Sequence, residues 1–122
     1  MSIANYAELK ILDHVTGTAS WTAPAGVYLQ LHTGDPGEDG TGNAASETTR
    51  KAATFASASS GSIATSATVE WTNVSTTETY SHWSLWDAST AGNCLWSGAL
   101  SSSAAVTAGD TFQITSLTLS LD

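Results

Sequence analysis

Basic residues are what this chain has least of. Lys10, Arg50 and Lys51 stand alone among 122 residues against 11 Asp and Glu, a formal net charge of −8. Nucleic-acid binding through phosphates needs clustered positive charge, so that function class is excluded. Cysteine is almost missing: Cys94 has no partner, which rules out an intrachain disulfide and a cysteine metal cluster. No apolar run approaches a membrane span, so no membrane partner is expected. The opening MSIANYAELK has neither a basic leader nor an apolar core, so synthesis in a cytoplasm without a signal peptide is the expectation. The Asn73-Val74-Ser75 sequon is then empty.

Close to a third of the chain is Ser or Thr, residues at home on strand surfaces and in turns. Alternating apolar positions and a 41% hydrophobic content argue against disorder. At this length the expectation is one domain, residues 1–122, with an N-terminal helix over 1–17 and a β-sandwich over 27–122.

Residues 79–100, TYSHWSLWDASTAGNCLWSGAL, hold three of the five tryptophans and read as a hairpin. His82, Ser84 and Trp86 point one way, and Ser81, Trp83 and Leu85 the other. Turn residues 87–93 follow, with Gly92 free to take positive φ. On the return strand Cys94, Trp96, Gly98 and Leu100 share a face. Large aromatics on both faces predict a central hairpin, covered by a second sheet on one side and by a helix or neighbouring subunit on the other.

Residues 2–15 read as the one helix, capped by Ser2 and stopped by Gly17. Ile3, Ala7, Ile11 and Val15 form a stripe, while Tyr6 and Leu9 lie on a different side. Residues 27–33 alternate cleanly, and 34–43, GDPGEDGTGN, are a Gly/Asp loop. Residues 50–57 form a modest strand with Phe55, and 62–71 a strand with Ile63, Val69 and Trp71 on one face. A last hairpin is expected from 104–107, the turn 108–110 and a strand over 111–121. The apolar phase of that strand changes near Thr115-Ser116, which predicts a β-bulge. The fold class is therefore all-β, a two-sheet antiparallel β-sandwich of jelly-roll type with one short N-terminal α-helix.

Chemistry is sparse. Nothing in the sequence pairs His14, His32 or His82 with a serine, and no Gly-x-Ser-x-Gly elbow is present. His82 reads as a structural or interface residue, and His32 and Asp35 as local partners at a strand end. Asp35, Glu38 and Asp39 crowd one loop. Asp35, Asp39 and Gly40 match places in a calcium loop, but Gly37 and Ser46 do not, so an ordinary solvated loop is the better reading. Cys94 reads as a small buried hydrophobe. No catalytic, metal or cofactor residue is assigned.

Taken in order, the leading helix, VYLQLHTGDPGEDGTGN, Arg50 before the Phe55 strand, GSIATSATVEWTNVS, WSLWDASTAGNCLWSGAL and AGDTFQITSLTLSLD resemble one family. It is a family of small tailed-phage virion proteins, usually labelled tail fibre or minor structural proteins, and the resemblance spans nearly the whole chain. It implies a place on the virion. The leading expectation is a non-enzymatic virion protein that decorates the capsid, as a homotrimer. The alternative is a tail fibre or tail-associated protein that binds a host surface, for instance a glycan. Expected partners are phage capsid or tail proteins. Ile3, Tyr6, Leu9, Trp83, Trp86 and Trp96 are the candidate partner or subunit contacts.

Overall fold

The computed structural model describes residues 1–121; the last residue of the expected domain, Asp122, lies outside them. The elements run β1 (Ser2–Ile3), α1 (Asn5–Val15), β2 (Val27–His32), β3 (Lys51–Ala53), β4 (Ser62–Ala64), β5 (Val69–Trp71), β6 (Glu78–Trp86), β7 (Cys94–Val106), β8 (Phe112–Ile114) and β9 (Thr118–Ser120). The protein is mostly β with one N-terminal helix. Its strands form three sheets, and the expected two-sheet jelly roll is corrected on that point. A five-stranded sheet has the order β1-β7-β6-β2-β3, and two small sheets pair β4 with β9 and β5 with β8.

Two expected strands break at corners, which is the physical reason for the third sheet. The stretch 62–71 divides into β4 and β5, separated by small polar residues that let the chain bend. The stretch 111–121 divides into β8 and β9 at the phase change, where a bulge was expected. Each half pairs with a different strand: Ile63 faces Leu119, and Trp71 faces Phe112. The last hairpin is also redrawn. Residues 104–106 belong to β7, and the turn after them delivers the chain to β5 rather than back along β7.

The β6–β7 hairpin is the centre of the large sheet, as its aromatics predict. Asp87 closes the turn by accepting bonds from the Asn93 backbone N–H at 2.7 Å and its Nδ2 at 3.0 Å. Gly92 there has φ +74, and a Cβ would stand 2.5 Å from the Asp87 carboxylate. Trp83, Leu85, Leu29 and Leu31 point into the main core with Val69, Trp71, Tyr80, Ile114 and Leu119. Ser84, Trp86 and His32 belong to the opposite face, by strand parity.

Two irregularities reshape β7. Trp86 pairs with Cys94 while Leu85 pairs with Trp96, so Leu95 is an extra residue. This bulge turns Cys94 to the Trp86 face and Trp96 to the main core, and it corrects the expected shared face. Farther on, Ser81 alone faces residues 100–103.

The helix starts at Asn5, not at residue 2. Ser2 and Ile3 instead pair with Ser97 and Trp96 as an added edge strand. Ala4 takes the N-cap place with no side-chain bond, so the expected Ser2 cap is corrected. The C-terminus is as expected. Gly17 at φ +73 donates to the His14 carbonyl at 3.2 Å, and Thr18 to that of Asp13 at 2.9 Å. This is a Schellman ending, which satisfies carbonyls that the helix leaves open.

Candidate functional site: the covered face of the sheet and the open side of the helix

The second face of the large sheet is covered by the 33–43 loop, α1 and the 87–93 turn. His32 ends β2 fully buried, and its ring joins residues far apart in sequence. Nδ1 lies 2.8 Å from the Gly42 carbonyl, and Nε2 lies 2.6 Å from Ser84 Oγ. A carbonyl only accepts, so Nδ1 carries the proton and Nε2 accepts from the Ser84 hydroxyl. Ser84 Oγ in turn accepts from Trp86 Nε1 at 2.7 Å. Burial pushes the His32 pKa below its usual 6.5; the Gly42 bond opposes this, and His82 adds to the lowering.

Arg50 extends the network. Its guanidinium lies 3.9 Å from the Trp86 ring centroid. Nε donates to Gln30 Oε1 at 3.0 Å, and Nη1 to the carbonyls of Ala88 at 2.9 Å and Ala91 at 2.6 Å. The turn is thus bolted to β2 and to Trp86 by one side chain. Gly40 closes the cover from the loop, where φ is +76 and a Cβ would sit 2.5 Å from Cys94 Sγ. Cys94 is buried and free, and burial raises its thiol pKa to about 11, so it stays protonated.

The three loop carboxylates do not converge. Asp35 accepts from the Gly37 N–H, Asp39 from the Thr41 N–H and hydroxyl, and Glu38 from the Ser2 hydroxyl. The bond from the Thr41 N–H holds the Asp39 carboxyl below its usual range. The Asp35 and Asp39 bonds are Asx-turn contacts that shape a loop. Among the described residues no group of three or more His, Cys, Asp or Glu could hold a metal. The His32–Ser84 pair has a nucleophile–base distance, yet both residues are fully buried and no substrate can reach the hydroxyl.

The candidate contact residues separate into two groups. Trp83 lies in the main core, Trp86 clusters with Ala4 and Cys94 under the loop, and half-buried Trp96 packs on the main core. Ile3 is half-buried in β1 opposite Trp96. Tyr6 is half-buried, edge-on to Trp21 at 6.3 Å between centroids and 5.6 Å from Lys10 Nζ. Leu9 is 66% exposed, and Leu12 at 60% and Val15 at 70% lie beside it on α1. The expected Ile3–Ala7–Ile11–Val15 stripe is corrected: with Ile3 off the helix, Ala7 alone is buried and Val15 joins the open side. Leu12 was missed, although its i+3 spacing from Leu9 is legible in the sequence.

Two depressions flank these elements. A cleft of about 270 Å³ is lined by Asn5, Tyr6, Glu38, Asp39, Trp86 and Asn93 among others. A groove of about 570 Å³ runs over Trp83, Leu100, Phe112, Ile114 and Leu117, and among the described residues no acidic, basic or histidine side chain lines it.

A protein-family model described as "Podophage GP4 fiber I protein gp80" matches residues 2–122. The chain belongs to this family. It is a bacteriophage virion structural protein with a structural, not an enzymatic, role. A fibre family corrects the capsid-decoration expectation in favour of the tail-fibre alternative, which sequence could not separate because both call for a compact, anionic β domain. No curated protein matches the sequence.

Proposed function

We propose that this member of the fibre family is a tail-fibre component held on the virion by the open side of α1. Leu9, Leu12 and Val15 carry the reading, being three large apolar side chains at least 60% exposed on one short helix. Scattered apolar exposure is ordinary, but a contiguous patch rimmed by polar residues marks an interaction surface. The patch spans roughly a few hundred Å², well below the ~800 Å² per partner of a durable single interface. Several linked copies convert such weak contacts into lasting attachment, because each later contact forms at high effective concentration. We propose that the linked copies form the homotrimer expected from sequence. Sedimentation at the trimer mass supports it, and sedimentation at the monomer mass removes it.

Adding purified protein to particles lacking it tests the anchor. The Leu9→Ser/Leu12→Ser variant should bind at least about tenfold fewer copies, with melting unchanged. Undiminished binding by the folded variant rules the patch out.

Host binding is favoured by one observation, the cleft beside α1. Its lining sets Asn5, Asn93 and Asp39, which carry hydrogen-bonding groups, beside Tyr6 and Trp86, a setting suited to a hydroxyl-rich ligand. Binding of labelled protein to host cells, lost in Asn93→Ala, supports this reading; no binding to host cells removes it.

A further inference from the structure

We propose that His32 is the pin of an acid-sensitive latch: neutral, it locks the 33–43 loop and the 87–93 turn onto the five-stranded sheet, and protonated, it releases them. The latch is set by bond geometry and is independent of how the chain attaches. Donor and acceptor directions in the chain Trp86–Ser84–His32–Gly42 are fixed by chemistry. Trp86 Nε1 can only donate and the Gly42 carbonyl can only accept, so Nδ1–H is the neutral tautomer that completes every bond, the Ser84 hydroxyl proton included.

Protonation reverses the middle link and fills both lone pairs of the Ser84 oxygen. Nε2 then carries a hydrogen aimed at Ser84 Oγ across 2.6 Å, where Trp86 already donates across 2.7 Å. The Ser84 hydroxyl proton loses its acceptor inside a fully buried site. Among the described residues an imidazolium also finds no carboxylate to pair with. β6 brings His82, the cross-strand neighbour of His32, and the segment before β3 brings Arg50. Both disfavour a second positive charge. β7 contributes the neutral Cys94 thiol, and α1 and its N-cap contribute buried Ala7 and Ala4. The loop's Asp35, Asp39 and Glu38 bond to Gly37, Thr41 and Ser2.

The charged ring therefore needs water, and the way out is past the loop that covers it. Lifting that loop affects two further elements. Asn5 at the start of α1 donates to the Glu38 carbonyl at 3.3 Å, so the helix seat is tied to the same loop. Disturbing Ser84 frees Trp86, the platform on which Arg50 holds the Ala88 and Ala91 carbonyls of the turn.

Amide hydrogen exchange on the full chain, corrected for intrinsic rates, is the test, run from about pH 7.5 to about pH 4.5 alongside a ¹⁵N titration of the imidazoles. At high pH the His32 nitrogens should report the Nδ1–H tautomer. As His32 takes its proton, amides of 40–43 and of the 87–93 turn should lose protection at least about tenfold, while Leu29 and Leu85 keep theirs. His82→Gln should move the midpoint upward by removing a repulsive neighbour. His32→Gln, if folded, should remove the transition; the wild-type titration decides the matter without that variant. Loops that stay protected as His32 titrates would overturn the proposal. So would loss of all protection in a single step, which is global unfolding rather than a latch.

Discussion

Tyr80 lies fully buried in the main core, edge-on to Phe112 at 5.1 Å, with a hydroxyl that finds no hydrogen-bond partner among the described residues. Burial raises its pKa to about 12, so the group stays neutral. An unpaired buried hydroxyl is a stability debit that an apolar isostere removes. Tyr80→Phe should therefore raise stability by about 1 kcal/mol in urea unfolding. Arg50 is the opposite case, a single side chain that joins β2, Trp86 and the turn. Arg50→Ala should destabilise by about 2 kcal/mol, and Arg50→Lys should recover little, because a point charge cannot stack and fork together. His32 sets the pH dependence. Its folded-state pKa is depressed, so the unfolded chain binds the proton first as pH falls. The stability that its neutral form contributes is complete above about 6.5, and declines below it until the folded-state pKa is passed. Urea midpoints at a series of pH values check the sign, with His32→Gln as the flat control.

Among elements, the β6–β7 hairpin was the most legible in sequence. The alternation of 82–86 puts Ser84 and Trp86 on one face and Trp83 and Leu85 on the other, as the structure shows, while the irregularity at Ser81 turns Tyr80 to the main core. Each tryptophan has its own core, so Trp83→Ala and Trp86→Ala should each cost about 3–5 kcal/mol despite facing opposite ways. Thermal melts of the two variants check this. Corners were less legible. Residues 62–71 keep a period of two straight through a change of sheet, since Thr65, Ser66, Ala67 and Thr68 fit a strand and a bend equally well. The phase change at Thr115-Ser116 was visible, but only pairing partners separate a bulge from a break. The helix start was misplaced because Ile3 fits a helical stripe, while its actual partner Trp96 is distant in sequence. The His32–Ser84 bond spans 52 residues, and no local signal announces it. Once the parity of both strands is read and their register known, the two side chains fall on one face.

For the whole molecule, the excess of 11 acidic over 3 basic side chains leaves a surface that repels nucleic acid and other anions. The acidic loop holds its shape through its own amide and hydroxyl donors, so chelators should leave the melting temperature unchanged. A chelator-induced drop that calcium reverses would contradict that. Cryo-electron microscopy of intact particles tests whether the protein is a fibre component seated by its helix. Density for this fold is expected in the tail fibres, in several copies, with Leu9, Leu12 and Val15 against a neighbouring subunit. Density confined to the capsid lattice, or fibres in which α1 faces solvent, would contradict it.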